Sequence, residues 1–371
     1  MMKEQIFCLL LIVGTIGITP QVCCQTEEIL KLEYNFKEAE PLKMSEIISE
    51  ISYIPLETNP SCLLGYMWIP VFGEDILVNT SDGGESIYRF SSDGKYLNTI
   101  GRKGNGPNEY NGCTDLFLQG DTVYIVSNFT DDILCYSLTG EFLKKYKLEV
   151  ERPKHVVQLP DKSFMITLTT DDKLGNLIKT DKEFNIQAGY IKNLPFPSNP
   201  LPCRFQNSND KIFYYNTFLD TIYNISNGSP IPSIIVDYGK YRVSNERHPE
   251  NRVLLNSPNI HEFSTCDNYY KLDVYYPYKG DVYSMLYRIS DGKKHQWSSL
   301  INDIDNGTLD RWPGFLSGDR LIFHLMPLTI LERYENMTKE EKLDPANSAF
   351  VDMASSISPD SNPVIMVCKL K

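Results

Sequence analysis

Histidine is sparse in this 371-residue chain, with five dispersed residues. His261-Glu262 has no second histidine four residues on, which excludes the helical zinc-protease pattern, and no Gly-x-Ser-x-Gly nucleophile elbow occurs. A Ser-His-Asp triad could be assembled from distant residues of any chain this long, so that possibility carries no weight. Basic residues are outnumbered, 36 Lys and Arg against 48 Asp and Glu, for a net charge of −12. No nucleic-acid partner is expected, because non-specific affinity for phosphates comes from clustered Lys and Arg. Beyond the N-terminal stretch no segment reaches 18 consecutive apolar residues, the length a spanning helix needs. There is no Cys-x-x-Cys either. Cys62, Cys113, Cys135, Cys203, Cys266 and Cys368 are scattered. Their even number permits disulfides in an exported chain, but Cys135 and Cys368 sit inside apolar strand patterns and read as reduced core residues.

What is present points to a globular all-β protein. Apolar residues make up 42% and charged residues 23%, and 22 Gly, 22 Pro and 23 Tyr favour short strands and turns. Residues 1–24 read as an export segment: Lys3 and Glu4, an apolar stretch from Ile6 to Ile18, then Pro20 and the pair Cys23-Cys24. That stretch is too short to cross the ~30 Å hydrocarbon core and fits the apolar region of a signal peptide. Cleavage before Gln25 and lipidation at Cys24 or Cys23 both fit. The residues before the pair match the lipoprotein pattern poorly, while the acidic run after it suits a tether over residues 25–48. Membrane contact is expected only through such an anchor.

The chain repeats itself about every 45 residues. Ser86–Gly94 (SIYRFSSDG) recurs as Ile133–Gly140, as Leu177–Phe184 in degraded form, as Thr221–Gly228 and as Met285–Gly292. Aligning Phe90, Tyr136, Thr180, Ile225 and Ile289 gives spacings of 46, 44, 45 and 64. Each copy is an alternating strand entering a tight polar turn. A second strand type precedes each copy, at Glu74–Asn79, Asp121–Asn128, Asp161–Thr169, Asp210–Phe218 and Tyr269–Tyr276, and a sixth lies at Asp319–Met326 without a clear hairpin after it. Four strands per ~45 residues, repeated radially, predict a six-bladed β-propeller of four-stranded blades over residues 49–371. Ile51–Leu56 and Pro363–Leu370 are expected to share the blade that closes the ring. The third copy has Phe184 where Gly140 stands in the second, so its turn should differ. Residues 328–356 carry good helix formers and read as a helical insertion in the last blade.

Gly101–Tyr110 (GRKGNGPNEY) looks like the inter-blade signature of NHL-type propellers. Together with Ile51–Glu57, Asp220–Ile225 and the ending NPVIMVCKLK, it resembles a family of exported six-bladed propellers of anaerobic gut bacteria, often lipoproteins, most without an assigned function. The resemblance spans nearly the whole chain after residue 24. It implies fold and export, and carries no catalytic motif over.

The glycines of Gly101–Gly106 are followed by Pro107 and a new blade rather than a helix, so they read as a structural turn, not a phosphate loop. Asn302–Gly307 lacks the bidentate Glu of a calcium loop and reads as an Asx-type turn. Asn79 and Asn128 read as ends of inner strands, but no carboxylate set accompanies them as in metal-dependent propeller lactonases. No metal, cofactor or catalytic residue is assigned. The connections between blades are richer in basic and aromatic residues. Arg102, Tyr110, Arg204, Arg242, Arg311 and Trp312 are therefore expected at the channel mouth, facing an anionic or saccharide ligand or a protein partner. The opposing reading has these arginines pairing with neighbouring carboxylates such as Glu109 and stapling blades together. The function expected is a binding or scaffold module for a glycan, peptide or protein, or alternatively a lactonase-like or glycan-processing hydrolase or lyase working at that mouth.

Overall fold

The computed structural model describes residues 28–37, 39–80, 86–127, 129–192, 203–208, 211–217, 219–241, 257–277, 279–309 and 314–371. The export segment with Cys23 and Cys24 lies outside them. Six antiparallel four-stranded sheets follow one another along the chain. Blade 1 runs from Met67 to Ile100, blade 2 from Asp115 to Lys147, blade 3 from Pro153 to Tyr190, blade 4 from Cys203 to Asp237, and blade 5 from Asn259 to Trp297. Blade 6 combines Phe315–Ser317, Arg320–Leu325 and Val364–Leu370 with Ile48–Pro55 as its outer strand. Val364 pairs with Pro55 and Cys368 with Ile51, so the two ends close the ring as direct neighbours. This explains why no hairpin follows the sixth second strand: the chain supplies that blade's outer strand from its other end.

Six apolar clusters lie between the blades, one at each interface. The strands are therefore apolar on both faces, as in Ile76–Val78 or Ile133–Tyr136, and only their rims are polar. Phe213, Tyr215, Phe263 and Leu272, for example, fill the space between blades 4 and 5. Cys135 and Cys368 are buried in these layers as free thiols, and burial pushes the Cys135 thiol up to about 12.

The strand order differs from the sequence reading in one respect. Asp75–Thr80 and its equivalents are second in each blade, not innermost. Asn79 consequently ends a second strand, while Asn128 lies outside the described residues. The innermost strands are the ones before them: Met67–Phe72, Asp115–Gln119, Pro153–Gln158, Cys203–Ser208, Asn259–Thr265 and Phe315–Ser317. Neighbouring inner strands touch around the ring from blade 1 to blade 6. Antiparallel pairing sends the inter-blade connections and the second-to-third-strand turns to one face, called here the connection face. The remaining turns, including the repeated hairpins, form the hairpin face.

Two additions decorate the ring. Helices α1 (Pro327–Asn336), α2 (Lys339–Leu343) and α3 (Ser348–Ser356) link the second and third strands of blade 6, and so lie on the connection face. Ile330, Phe350 and Met353 anchor them in the blade 5–6 core. The second addition corrects the expected tether. From residue 28 onward the N-terminal stretch is packed: Leu30–Glu33 adds a parallel fifth strand to blade 4. Phe36 stacks on Tyr276 with centroids 4.7 Å apart, and the Tyr34 hydroxyl donates to the Leu272 carbonyl at 2.5 Å. Met44 is fully buried, and Ser45 donates through both its N–H and its hydroxyl to Asp303. The apolar residues between the acidic ones in this stretch are what seat it.

Candidate functional site

The inner strands surround the ring's axis and carry polar residues among their buried apolar ones. Four consecutive blades place such residues near the connection face. Asp115 opens the inner strand of blade 2 and His155 stands third in that of blade 3; their Oδ2 and Nδ1 atoms lie 3.3 Å apart. The same Asp115 oxygen accepts the Val156 N–H at 3.1 Å, and Thr167 Oγ1 accepts the His155 N–H at 3.1 Å. On blade 4, Arg204 directs Nη1 toward Glu262 Oε1 of blade 5, 3.7 Å away. Its side chain remains 44% exposed and that of Glu262 23% exposed.

Burial lowers the His155 pKa below its ordinary 6.5; Asp115 opposes the shift, and the positive charges of Arg204 and Lys154 add to it. The imidazole is therefore neutral at pH 7, and Asp115 fixes its orientation. Arg204 is the most exposed charge of this row. Behind Glu262, on the adjacent strand, Lys271 Nζ and Asp273 Oδ2 form a fully buried pair 2.5 Å apart. Asp273 Oδ1 has no hydrogen-bond partner among the described residues.

The other residues expected at the mouth fare differently. Tyr110 is fully buried between blades 1 and 2, its oxygen accepting the Ile87 N–H at 3.3 Å, so it is a core residue and not a ligand contact. Arg102 is 84% exposed and lies 3.5 Å from Glu109 Oε1 within its own connection. Glu109 Oε2 also accepts the Gly106 N–H, and the Tyr136 hydroxyl donates to the Asn108 carbonyl. The glycine-rich segment is thus an internally tied turn between blades. Arg102 pairs within that turn and spans no two blades. Arg242, Arg311 and Trp312 lie outside the described residues. Asp115 and Glu262 were missed because single acidic residues in weakly patterned strands give no signal until the pairing partners are known.

Asn302–Gly307 is the Asx turn its sequence predicts. Asn302 Oδ1 accepts the Ile304 N–H, Asp305 Oδ1 accepts the Gly307 N–H, and the Tyr53 hydroxyl donates to Asp305 Oδ2 at 2.8 Å. Among the described residues, no three His, Cys, Asp or Glu side chains are grouped to share a metal ion.

The connection face also carries large exposed apolar side chains. Leu63 and Tyr66 lie before blade 1, Phe129 and Leu174 in turns of blades 2 and 3, and Leu328 and Leu343 on the helices. Phe129 is 73% and Leu343 72% exposed. Burying such groups is favourable at roughly 25 cal/mol per Å²; others, such as Leu97, Leu143 and Ile231, lie on the outer strands of blades 1, 2 and 4.

The profile of the family described as a domain of unknown function (DUF4934) matches residues 27–369. A crystal structure of a Bacteroides fragilis protein, whose name infers export, superposes with a TM-score of 0.73 at 18% identity, over 93% of this chain and 100% of that one. A member of the DUF4221 family from Bacteroides vulgatus superposes with a TM-score of 0.54 at 9% identity, over 87% of this chain and 97% of that one. At these identities both establish the fold alone. No curated protein matches the chain.

Proposed function

We propose that this chain, which belongs to the DUF4934 family, is an exported binding module whose connection face receives a glycan, peptide or protein partner. The observation that carries the reading is the exposed Arg204 beside Glu262, on rigid inner strands at the mouth, within a face that also exposes Tyr66, Phe129 and Leu328. A charged pair on strands gives orientation with little ordering cost, and apolar groups around it add area. Export is supported by the apolar segment Ile6–Ile18 and by the name of the Bacteroides fragilis relative. Cys24 or Cys23 is the site at which a lipid anchor would attach; mass spectrometry of the N-terminal peptide from membranes tests that.

A charge-assisted bidentate contact to a carboxylate is worth roughly 1.5–3 kcal/mol. In a glycan array and an acidic-peptide panel, Arg204→Ala should therefore weaken the best hit about tenfold or more while leaving the melting temperature near that of the parent. A lowered melting temperature with unchanged binding would instead make Arg204 a staple between blades 4 and 5. The enzymatic alternative, a hydrolase or lyase at the same mouth, draws on the neutral, carboxylate-oriented His155. It requires turnover of a lactone or glycan that His155→Gln abolishes.

A further inference from the structure

The first strand of the N-terminal stretch has a direction as well as a place. Leu30 pairs with Ile234 and Glu33 with Asp237, in parallel. The outer strand of blade 4, Ile231–Asp237, leaves its hairpin and runs toward the connection face, so Leu30–Glu33 runs the same way. Glu28, two residues before Leu30, therefore stands level with Pro232 at the hairpin end of the blade's outermost edge. Leu32, Tyr34 and Phe36 bury this stretch in the blade 4–5 core, which fixes Glu28 to the ring. The hairpin beside it differs from its counterparts. Asn224 to Pro232 contains no charged residue, whereas the hairpins of blades 1, 2, 3 and 5 carry Asp93, Glu141, Asp181 and Asp291. The same end leaves Ile29 45% and Ile231 50% exposed.

We infer that the hairpin end of blade 4 rests on the phospholipid bilayer and that the channel mouth faces away from it; this rests on the lipid anchor proposed above at Cys24 or Cys23. Reach decides the orientation. Four residues lead from Cys24 to Glu28 and five from Cys23, and fully extended they span at most about 14–18 Å. Asp237, at the connection-face end of the blade, is five residues farther up the ladder from the level of Glu28, roughly 17 Å. Helices α1 to α3 raise the connection face further. An anchor long enough to leave the hairpin end is thus too short to lay the opposite face on the membrane. The chemistry of this end agrees. A bilayer surface disfavours buried charge, and exposed apolar side chains gain by entering the boundary between headgroups and acyl chains. Glu28 and Glu33 on the same edge make zwitterionic headgroups the partner rather than anionic ones. The mouth at Arg204 is then open to large ligands approaching from the side away from the membrane.

The test uses the full lipidated chain recovered from membranes. It is placed in vesicles of phosphatidylcholine and phosphatidylethanolamine that hold a trace of lipid with a diazirine on its headgroup. After illumination, mass spectrometry should find cross-links on the peptides carrying Ile29 and Ser226–Pro232, and none above background on those carrying Phe129, Leu174 or Leu328. Ile231→Asp, a change at a half-exposed position, should cut the yield at this hairpin several-fold without moving the melting temperature. Inserting about 15 Gly and Ser residues before Glu28 should spread the cross-links over both faces, because the reach then exceeds the height of the blade. Lipid present with cross-links even around the ring, concentrated on the connection face, or indifferent to Ile231→Asp would overturn the orientation alone. A chain without lipid at Cys24 or Cys23 would remove the anchor and the orientation together. Neither result bears on binding at Arg204, which the Arg204→Ala comparison tests separately.

Discussion

The hairpin turn of blade 3 shows how one residue can replace another's chemistry without changing the backbone. Gly94, Gly140, Gly228 and Gly292 hold the left-handed conformation after each repeated strand, at φ from +71° to +88°. Phe184 holds it too, at φ +69°, so the turn expected to differ keeps the common geometry. The ring offsets the strain, stacking on Phe164 with centroids 4.2 Å apart in the blade 2–3 core. Phe184→Gly should relieve about 1–2 kcal/mol of strain and lose about 3–5 kcal/mol of aromatic packing, for a net loss that urea titration will resolve. At Gly94 a Cβ would lie 2.4 Å from the Pro55 carbonyl oxygen, so Gly94→Ala should destabilise by about 1–3 kcal/mol. The buried Lys271–Asp273 pair gives a sharper contrast. Lys271→Met strands a carboxylate and should cost about 3–5 kcal/mol, whereas changing both residues to apolar ones should recover most of it. If the single and double variants melt together, the pair is not what holds that carboxylate in place.

Among the elements, the N-terminal stretch and the last strand depend most on the rest of the ring: the first extends blade 4, and the second closes blade 6 with Ile48–Pro55. Neither is stable by itself: Leu30–Glu33 is four residues long and borrows its ladder from blade 4, and Val364–Leu370 is central in blade 6. Phe36, 4% exposed against Tyr276 and Tyr283, is the anchor of the first. Phe36→Ala should lower stability by about 3–5 kcal/mol; a change below 1 kcal/mol would return the stretch to the status of a tether. Deleting Val364–Lys371 removes a ladder on both sides and should unfold the domain at moderate temperature, as circular dichroism will show. The third-strand hairpins were legible because turn residues and apolar alternation coincide in them. The inner strands were not, since facing a channel dilutes their alternation and their identity comes only from the strand they pair with.

At the scale of the whole molecule, acid should act first through histidine. His155 and His295 are both held below the ordinary value of 6.5, by burial above all. The unfolded chain therefore takes up protons that the folded chain resists. Stability is full at neutral pH and declines as pH falls from about 6.5 toward the depressed folded values. Urea midpoints measured between pH 7.5 and 5 should fall, and His155→Gln should flatten part of that slope; a midpoint independent of pH over this range would contradict the burial of both rings. The sequence by itself determined the number of blades, the helical insertion and the closing strands, because each depends on local periodicity or on the need to leave no sheet edge open. Only the tertiary structure decided which strand lines the channel, that Tyr110 is core, that residues 28–48 belong to the domain, and that Arg204 meets Glu262. Those facts depend on contacts between blades, and such contacts leave no period in the chain for a reader to find.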